Sequence, residues 1–154
     1  RKALRYISAL QEIFFLRRFT VHELGVGTDH WIFGDSGLAA FLSPEKHGAG
    51  VVLSVARHAV LNEIFCYTEY KGRPIQRLYF KSARGSVIDL IWKNTPIRII
   101  AETLTTGSSI NYHERSLIGA MKSLGVSQGV IVAPTQMVNL NEKGISIVPW
   151  TYWS

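Results

Sequence analysis

The sequence has few of the residues that form disulfides, thiolate metal sites or membrane spans. Cys66 is the only cysteine among 154 residues, which excludes an intrachain disulfide and a zinc site of the usual cysteine type. Its place in an apolar helical run predicts an inert core residue. No stretch reaches the roughly 18 consecutive apolar residues of a membrane span. No Gly-x-x-x-x-Gly-Lys-Ser/Thr occurs, so these residues form no P-loop ATP site.

The sequence does contain enough apolar residues for a core, together with an excess of positive charge. Hydrophobic residues make up 47% of the chain, the net charge is +6 and the pI is near 9.7. Residues 1–84 carry 12 Lys and Arg against 7 Asp and Glu, whereas residues 85–154 carry 5 against 4. This imbalance favours a polyanionic partner such as nucleic acid. Mild basicity that serves solubility alone is the alternative.

The chain begins at Arg1, without Met and without the apolar segment of a signal peptide. We therefore expect a fragment of a longer cytoplasmic protein.

Hydrophobic periodicity divides the chain into two parts. Residues 1–43 are predicted to form a helix, two strands and a short helix capped by Asp35 or Ser36, as in the tail half of a winged-helix module. The Gly- and Pro-rich segment 43–50 is the best linker candidate. We therefore predict one domain over 1–43 and a second over 44–154.

The second part is predicted to be an α/β sheet with a crossover helix. A mostly apolar helix leads to three strands, a second helix that begins at Ser109 or Asn111 and ends at Gly125, and two further strands. The predicted ranges are 51–70, then 77–82, 87–93 and 96–103, then 128–133 and 145–149.

Two carboxylates interrupt neighbouring apolar strands of this sheet. Asp89 lies within Val-Ile-Asp-Leu-Ile and Glu102 follows Arg-Ile-Ile-Ala. Buried carboxylates are unfavourable unless a cation or a hydrogen-bond donor satisfies them. A metal-dependent phosphodiesterase needs such a pair, together with a nearby Lys that activates water or stabilises the transition state. The position for that Lys, two residues after Glu102, is occupied by Leu104.

This order of elements and acids resembles the core of the PD-(D/E)XK nuclease superfamily. More narrowly, the chain resembles the C-terminal domain of unknown function that follows an AAA-type ATPase module in many prokaryotic proteins. The most specific matching parts are Asp35-Ser36-Gly37-Leu38-Ala39-Ala40 and the Asp89/Glu102 pair. Further matches are Tyr6-Ile7-Ser8-Ala9-Leu10, Phe14-Phe15-Leu16-Arg17-Arg18, Leu61-Asn62-Glu63 and Leu78-Tyr79-Phe80.

The resemblance implies a restriction-endonuclease-like mixed sheet flanked by helices, preceded by a partial winged-helix segment. It makes Glu63 the helix carboxylate, Asp89 the principal metal ligand and Glu102 the second ligand, with Mg²⁺ or Mn²⁺ as the ion. Catalytic roles for Asp89 and Glu102 belong to a degenerate motif, because Leu104 replaces the Lys. An upstream ATPase module in the same chain is the implied partner.

Strand alternation places Lys93 on the face of Asp89 and Arg98 on the face of Glu102. Mutual repulsion of the acids should raise at least one pKa, and we expect Arg98 to offset it if no ion does.

Each of these residues also has an ordinary structural interpretation. Asp89 is alternatively a buried acid satisfied by backbone amides or by an Arg, and Glu63 is alternatively a surface charge on its helix. We interpret His58 and His113 as solvated helix residues.

Three functional hypotheses follow. The first is a catalytically degenerate nuclease-like domain that binds nucleic acid, DNA rather than RNA, or regulates the attached ATPase. The second is an active Mg- or Mn-dependent endonuclease that uses Glu63, Asp89 and Glu102. The third is a protein-interaction module whose acids are vestigial.

Overall fold

In the part of the chain that the structure describes, a mixed eight-stranded sheet flanked by four helices forms the centre of the molecule. The computed structural model describes residues 2–13, 15–42, 49–101, 107–136 and 138–153. The described strands are ordered β2-β1-β3-β4-β5-β6-β8-β7 across the sheet. The predicted α/β class is thus confirmed.

The described residues of the first half of the chain supply three helices and two strands. The element bounds are α1 Lys2–Glu12, β1 Leu16–Val21, β2 His30–Phe33, α2 Ser36–Leu42 and α3 Ala49–Tyr70.

The described residues of the second half supply six strands, one long helix and a final 3₁₀ helix. The bounds are β3 Leu78–Lys81, β4 Val87–Trp92, β5 Thr95–Ile99, α4 Gly107–Leu124, β6 Gly129–Ala133, β7 Asn139–Leu140, β8 Ile145–Pro149 and the 3₁₀ helix Trp150–Trp153.

Strands from both predicted parts of the chain belong to the same sheet. β1 runs parallel to β3, with Thr20 opposite Leu78 and Val21 opposite Tyr79. β5, β6 and β8 are mutually parallel, and the other pairs are antiparallel. The predicted domain boundary near residue 43 lies outside the described residues.

The two long helices cover opposite faces of the sheet. α3 packs on the face that we call the α3 face, through Val60, Leu61, Ile64 and Phe65. α4 packs on the other face, the α4 face, through Leu117, Ala120 and Met121. Each helix thereby buries an apolar side of the sheet, which is the main stabilisation available to such a layered fold.

An extra residue in β4 changes which side chains face each helix. Leu78 pairs with Ile91 and Phe80 pairs with Ile88, so two steps on β3 correspond to three on β4. This is a β-bulge. Leu90 packs on the α3 face, while Ile88 and Ile91 pack on the α4 face. Simple alternation along β4 therefore does not hold.

Several local predictions can be compared directly with the structure. The Asp35 carboxylate accepts a hydrogen bond from the Leu38 N–H at 2.8 Å, which confirms Asp35 as the α2 cap. Gly125 follows α4 with a φ of 67°, as expected of a helix-ending glycine. Cys66 is exposed, so its prediction as a core residue was wrong. None of the helices among the described residues has both the length and the apolar character to cross a bilayer.

Candidate functional site

The β4 bulge directs Asp89 towards α3. Leu90 already belongs to the α3 face, and the carboxylate of Asp89 contacts Arg57 of that helix. Two successive residues of β4 thus face the same layer, which an unbulged strand does not allow.

Both carboxylate oxygens of Asp89 have partners. Oδ1 lies 2.8 Å from Nε of Arg57, and Oδ2 accepts a hydrogen bond from the Ile99 N–H at 2.7 Å. The buried Nε–H of Arg57 has no aligned acceptor among the described residues, so the contact is an ion pair rather than a directed hydrogen bond. Asp89 is therefore neutralised by a helix cation and fixed by the neighbouring strand.

Burial raises the pKa of Asp89 above its ordinary value. Desolvation is the largest influence, and it outweighs the opposing effects of Arg57 and of the Ile99 N–H. The predicted rise in a carboxyl pKa is thus found at Asp89, but its main cause is burial rather than repulsion between acids.

Asp89 and Arg57 line a small cavity of about 270 Å³ between α3 and strands β2, β3 and β4. The cavity also contains His30, His58 and Tyr79. Within the described residues it thus combines a carboxylate, a guanidinium, two imidazoles and a phenol. We call it the Asp89 cavity.

The two histidines of the Asp89 cavity are held in different ways. His30 is stacked on Phe19 at 5.4 Å between ring centroids and meets the Tyr79 ring edge-on at 4.3 Å. Desolvation, followed by the nearby charge of Arg57, lowers the pKa of His30, so its imidazole is neutral at neutral pH. Nδ1 of His58 donates to the carbonyl oxygen of Ser54 at 2.7 Å. Both rings are oriented by these contacts.

The structure does not bring Glu63 to Asp89. Glu63 is exposed on α3 and lines a different cavity, which it shares with Trp150 and Thr151. Glu102 and Leu104 lie outside the described residues, so the predicted proximity of Glu102 to Asp89 stays a prediction.

Lys93 lies elsewhere than strand alternation predicts. Lys93 and Asn94 form the two-residue turn between Trp92 and Thr95, with φ of 49° and 65°. Lys93 therefore does not share a strand face with Asp89.

Arg98 points to the α4 face. Its Nε donates to Nδ1 of His113 at 3.0 Å, and Nη1 donates to the carbonyl of Val87 and to Oγ of Ser116. The arginine that contacts Asp89 is Arg57. The charge of Arg98, the expected partner, also lowers the pKa of Asp89, but less than the charge of Arg57 does. His113 is buried, so its interpretation as a solvated helix residue was wrong.

Sequence reasoning missed Arg57 as the partner of Asp89. The available signal was the Arg57-His58 pair in an otherwise apolar helical run. Charged residues are rarely buried without a partner, so such a pair indicates a polar contact inside the fold.

The described residues around Asp89 do not fit a Mg²⁺ or Mn²⁺ site. They supply one carboxylate, whereas these hard cations take several oxygen ligands. The Arg57 guanidinium beside Oδ1 would also repel a dication there. No group of three His, Cys, Asp or Glu residues suited to a metal occurs within the described ranges.

Neither a family model, nor a curated protein, nor a solved structure matches this chain. Its function is therefore inferred from its residues and their geometry.

Proposed function

We propose that this chain is the C-terminal, nuclease-like domain of an ATPase-containing protein, and that it binds nucleic acid, DNA rather than RNA, without efficient cleavage. In this proposal the first 43 residues contribute part of a winged-helix segment, and the nuclease-like core keeps Asp89 as a structural residue. Regulation of the attached ATPase would follow from occupancy of this domain by nucleic acid.

The Arg57–Asp89 ion pair is the observation that best supports the proposed loss of cleavage. A nuclease of this class uses its strand aspartate to hold a divalent cation. Here a guanidinium 2.8 Å from Oδ1 takes the place of that positive charge. Because Arg stays protonated, it cannot act as the base that activates water. The Leu104 position in the sequence, where the family has Lys, supports the same conclusion.

The charge of the chain supports binding to a polyanion. The net charge is +6, and most of the excess lies in residues 1–84. Lysines and arginines that neutralise phosphates release counterions, so the affinity of such a protein falls steeply with salt. Salt dependence therefore separates this proposal from a function that involves no phosphates.

The first prediction is that the chain binds labelled DNA oligonucleotides with an affinity that depends strongly on salt. Fluorescence anisotropy between about 50 and 200 mM salt should give a linear fall of log K against log salt, with at least about two released ions. RNA of the same sequence should bind more weakly. Binding that is absent, or that does not change with salt, would contradict the proposal.

A protein-interaction module is the second candidate function, and one apolar cavity favours it. This cavity, of about 510 Å³, lies between α3 and the 3₁₀ helix and is lined by Val52, Val55, Ala56, Ala59, Val60, Glu63, Trp150 and Thr151. Apolar concave surfaces often mark protein contacts. Salt-insensitive behaviour in the anisotropy experiment would favour this candidate. An active endonuclease using Glu63, Asp89 and Glu102 is tested by cleavage.

A further inference from the structure

A further, larger cleft lies at the C-terminal end of α3. It has a volume of about 830 Å³ and is formed where α3 ends, where the chain leads into β3, and where β4 turns into β5. Its lining residues include Tyr67, Lys71, Arg73, Trp92 and Lys93. We call it the basic cleft. It shares no described lining residue with the Asp89 cavity.

The basic cleft is positively charged without local compensation. Lys71, Arg73 and Lys93 line it, and none of its described lining residues is Asp or Glu. Within the described part of the chain, these three cations have no carboxylate within salt-bridge distance. Glu69, near the end of the same helix, is instead engaged by Arg17 and Arg77. The cleft therefore presents a potential that attracts anions.

Aromatic side chains lie beside these cations. The ammonium of Lys71 is 5.8 Å from the ring centroids of both Tyr67 and Tyr70, and Tyr70 is 87% exposed. Tyr67, Trp92 and Lys93 also line an adjoining cavity of about 590 Å³, whose other lining residues include Tyr152. These three residues line both concave surfaces, and we call the boundary that they form the ridge.

Lys93 adopts a backbone conformation that a lysine does not favour. Its φ is 49°, in the left-handed region that glycine and asparagine occupy most readily. The tight turn that imposes this conformation also places the side chain at the ridge. A two-residue hairpin turn of this kind requires a positive φ at both central residues, so the turn itself accounts for the conformation.

We propose that the basic cleft is a binding site for single-stranded nucleic acid, with phosphates on Lys71, Arg73 and Lys93 and a base stacked at the ridge on the exposed ring of Tyr67. This inference rests on the proposed nucleic-acid-binding function and names its location and its substrate class. A lining that interleaves cations with exposed aromatic rings suits a single strand, since unpaired bases offer their faces for stacking. The ring faces of paired bases are covered by their neighbours in a duplex, so a duplex cannot use the ridge in this way.

The second prediction tests the three cations together. The variant Lys71→Gln/Arg73→Gln/Lys93→Gln should bind a labelled oligothymidine at least about thirtyfold more weakly, and its log K against log salt slope should be shallower by about 2. The matched control is Arg84→Gln/Arg115→Gln/Lys122→Gln, which removes the same charge from exposed positions outside the cleft. The control should stay within about threefold of the wild type, because its residues do not touch the strand. Thermal melting of each variant verifies folding.

Stacking is tested separately at the ridge. Tyr67→Ala should weaken oligothymidine binding about tenfold, while Tyr6→Ala, at an exposed position on α1, should leave it unchanged. Duplex DNA of the same length should bind less tightly than the single strand and should be insensitive to Tyr67→Ala.

The outcomes separate the two proposals. If the wild type binds but the cleft triple variant and its control weaken binding equally, the basic cleft is overturned while nucleic-acid binding stands. Tighter binding of duplex than of single strand, or an unchanged affinity in Tyr67→Ala, also overturns the single-strand site. No binding by the wild type overturns both proposals.

Discussion

Asp89 and Arg57 form an ion pair, but their side chains differ in exposure to solvent. The aspartate side chain is 5% exposed, whereas the arginine side chain is 34% exposed. Water can therefore solvate the guanidinium but not the carboxylate, and the pair does not fully restore what Asp89 loses on burial. This imbalance is the physical reason why the pKa of Asp89 is raised despite a cation in contact.

The third prediction concerns pH and the Asp89→Asn variant. The folded state holds the Asp89 proton more tightly than the unfolded state, whose pKa is near the ordinary 3.8. The resulting stabilisation is complete below that value and is lost as pH rises through the folded-state pKa. Asn does not titrate, so the stability of the wild type relative to Asp89→Asn should decrease over this window. Urea denaturation of both proteins at a series of pH values measures it.

A relative stability that instead increases with pH above 3.8 would contradict this prediction. It would mean that Arg57 and the Ile99 N–H dominate and that the folded-state pKa is lowered.

The fourth prediction concerns the left-handed turn at Lys93. Relief of a left-handed φ by glycine is worth on the order of 1 kcal/mol, partly offset by the greater freedom of glycine in the unfolded chain. Lys93→Gly should therefore raise the free energy of unfolding by about 0.5 kcal/mol and lower the affinity for a single strand several-fold. Chemical denaturation and anisotropy measure the two effects.

Asn94→Gly is the matched control, because it relaxes the neighbouring turn residue and keeps the lysine. It should leave the affinity unchanged. If Lys93→Gly retains full affinity, Lys93 does not bind phosphate.

At the element scale, α3 connects the two sites. Its 22 residues extend over roughly 33 Å, with Ser54, Arg57 and His58 at the Asp89 cavity and Tyr67 and Thr68 at the basic cleft. The sequence predicted this helix at 51–70 from its apolar run, and the structure gives Ala49–Tyr70. The helix was predictable because burial around most of its circumference leaves a strong signal.

The strand β4 was predicted from the sequence, but the side of the sheet on which each of its side chains lies was not. The expected strand 87–93 corresponds to Val87–Trp92. The bulge depends on pairing with β3 and has no clear mark in the sequence, so alternation gave the wrong relation between Asp89 and Lys93. β7 was not predicted, since its two residues, Asn139 and Leu140, are exposed at the edge of the sheet and show no pattern.

At the scale of the whole molecule, the order of the strands in the sheet determines which distant residues come together. β1 and β3 pair although β2, α2 and α3 lie between them in the chain. Lys71 and Lys93 likewise approach one cleft from two different segments. Such long-range juxtapositions follow from sheet topology, which local periodicity does not encode. From the sequence it was possible to predict that Asp89 lies in an apolar strand and that the chain is positively charged. Neither the Asp89 cavity nor the basic cleft could be predicted from it.

The proposed function, nucleic-acid binding without cleavage, rests on one physical claim: Arg57, rather than a divalent cation, neutralises Asp89. When bound DNA is incubated with a divalent metal ion, the length of the recovered strands shows whether binding leads to cleavage.

The fifth prediction is the most direct test of that claim. The chain is incubated with end-labelled single-stranded and duplex DNA in excess Mn²⁺, under salt conditions in which most of the DNA is bound, and the strands are sized on a denaturing gel. We predict that the labelled DNA is recovered at full length. Shortened products that form with the wild type and disappear with Asp89→Ala would contradict the account, because they would make Asp89 a working catalytic residue.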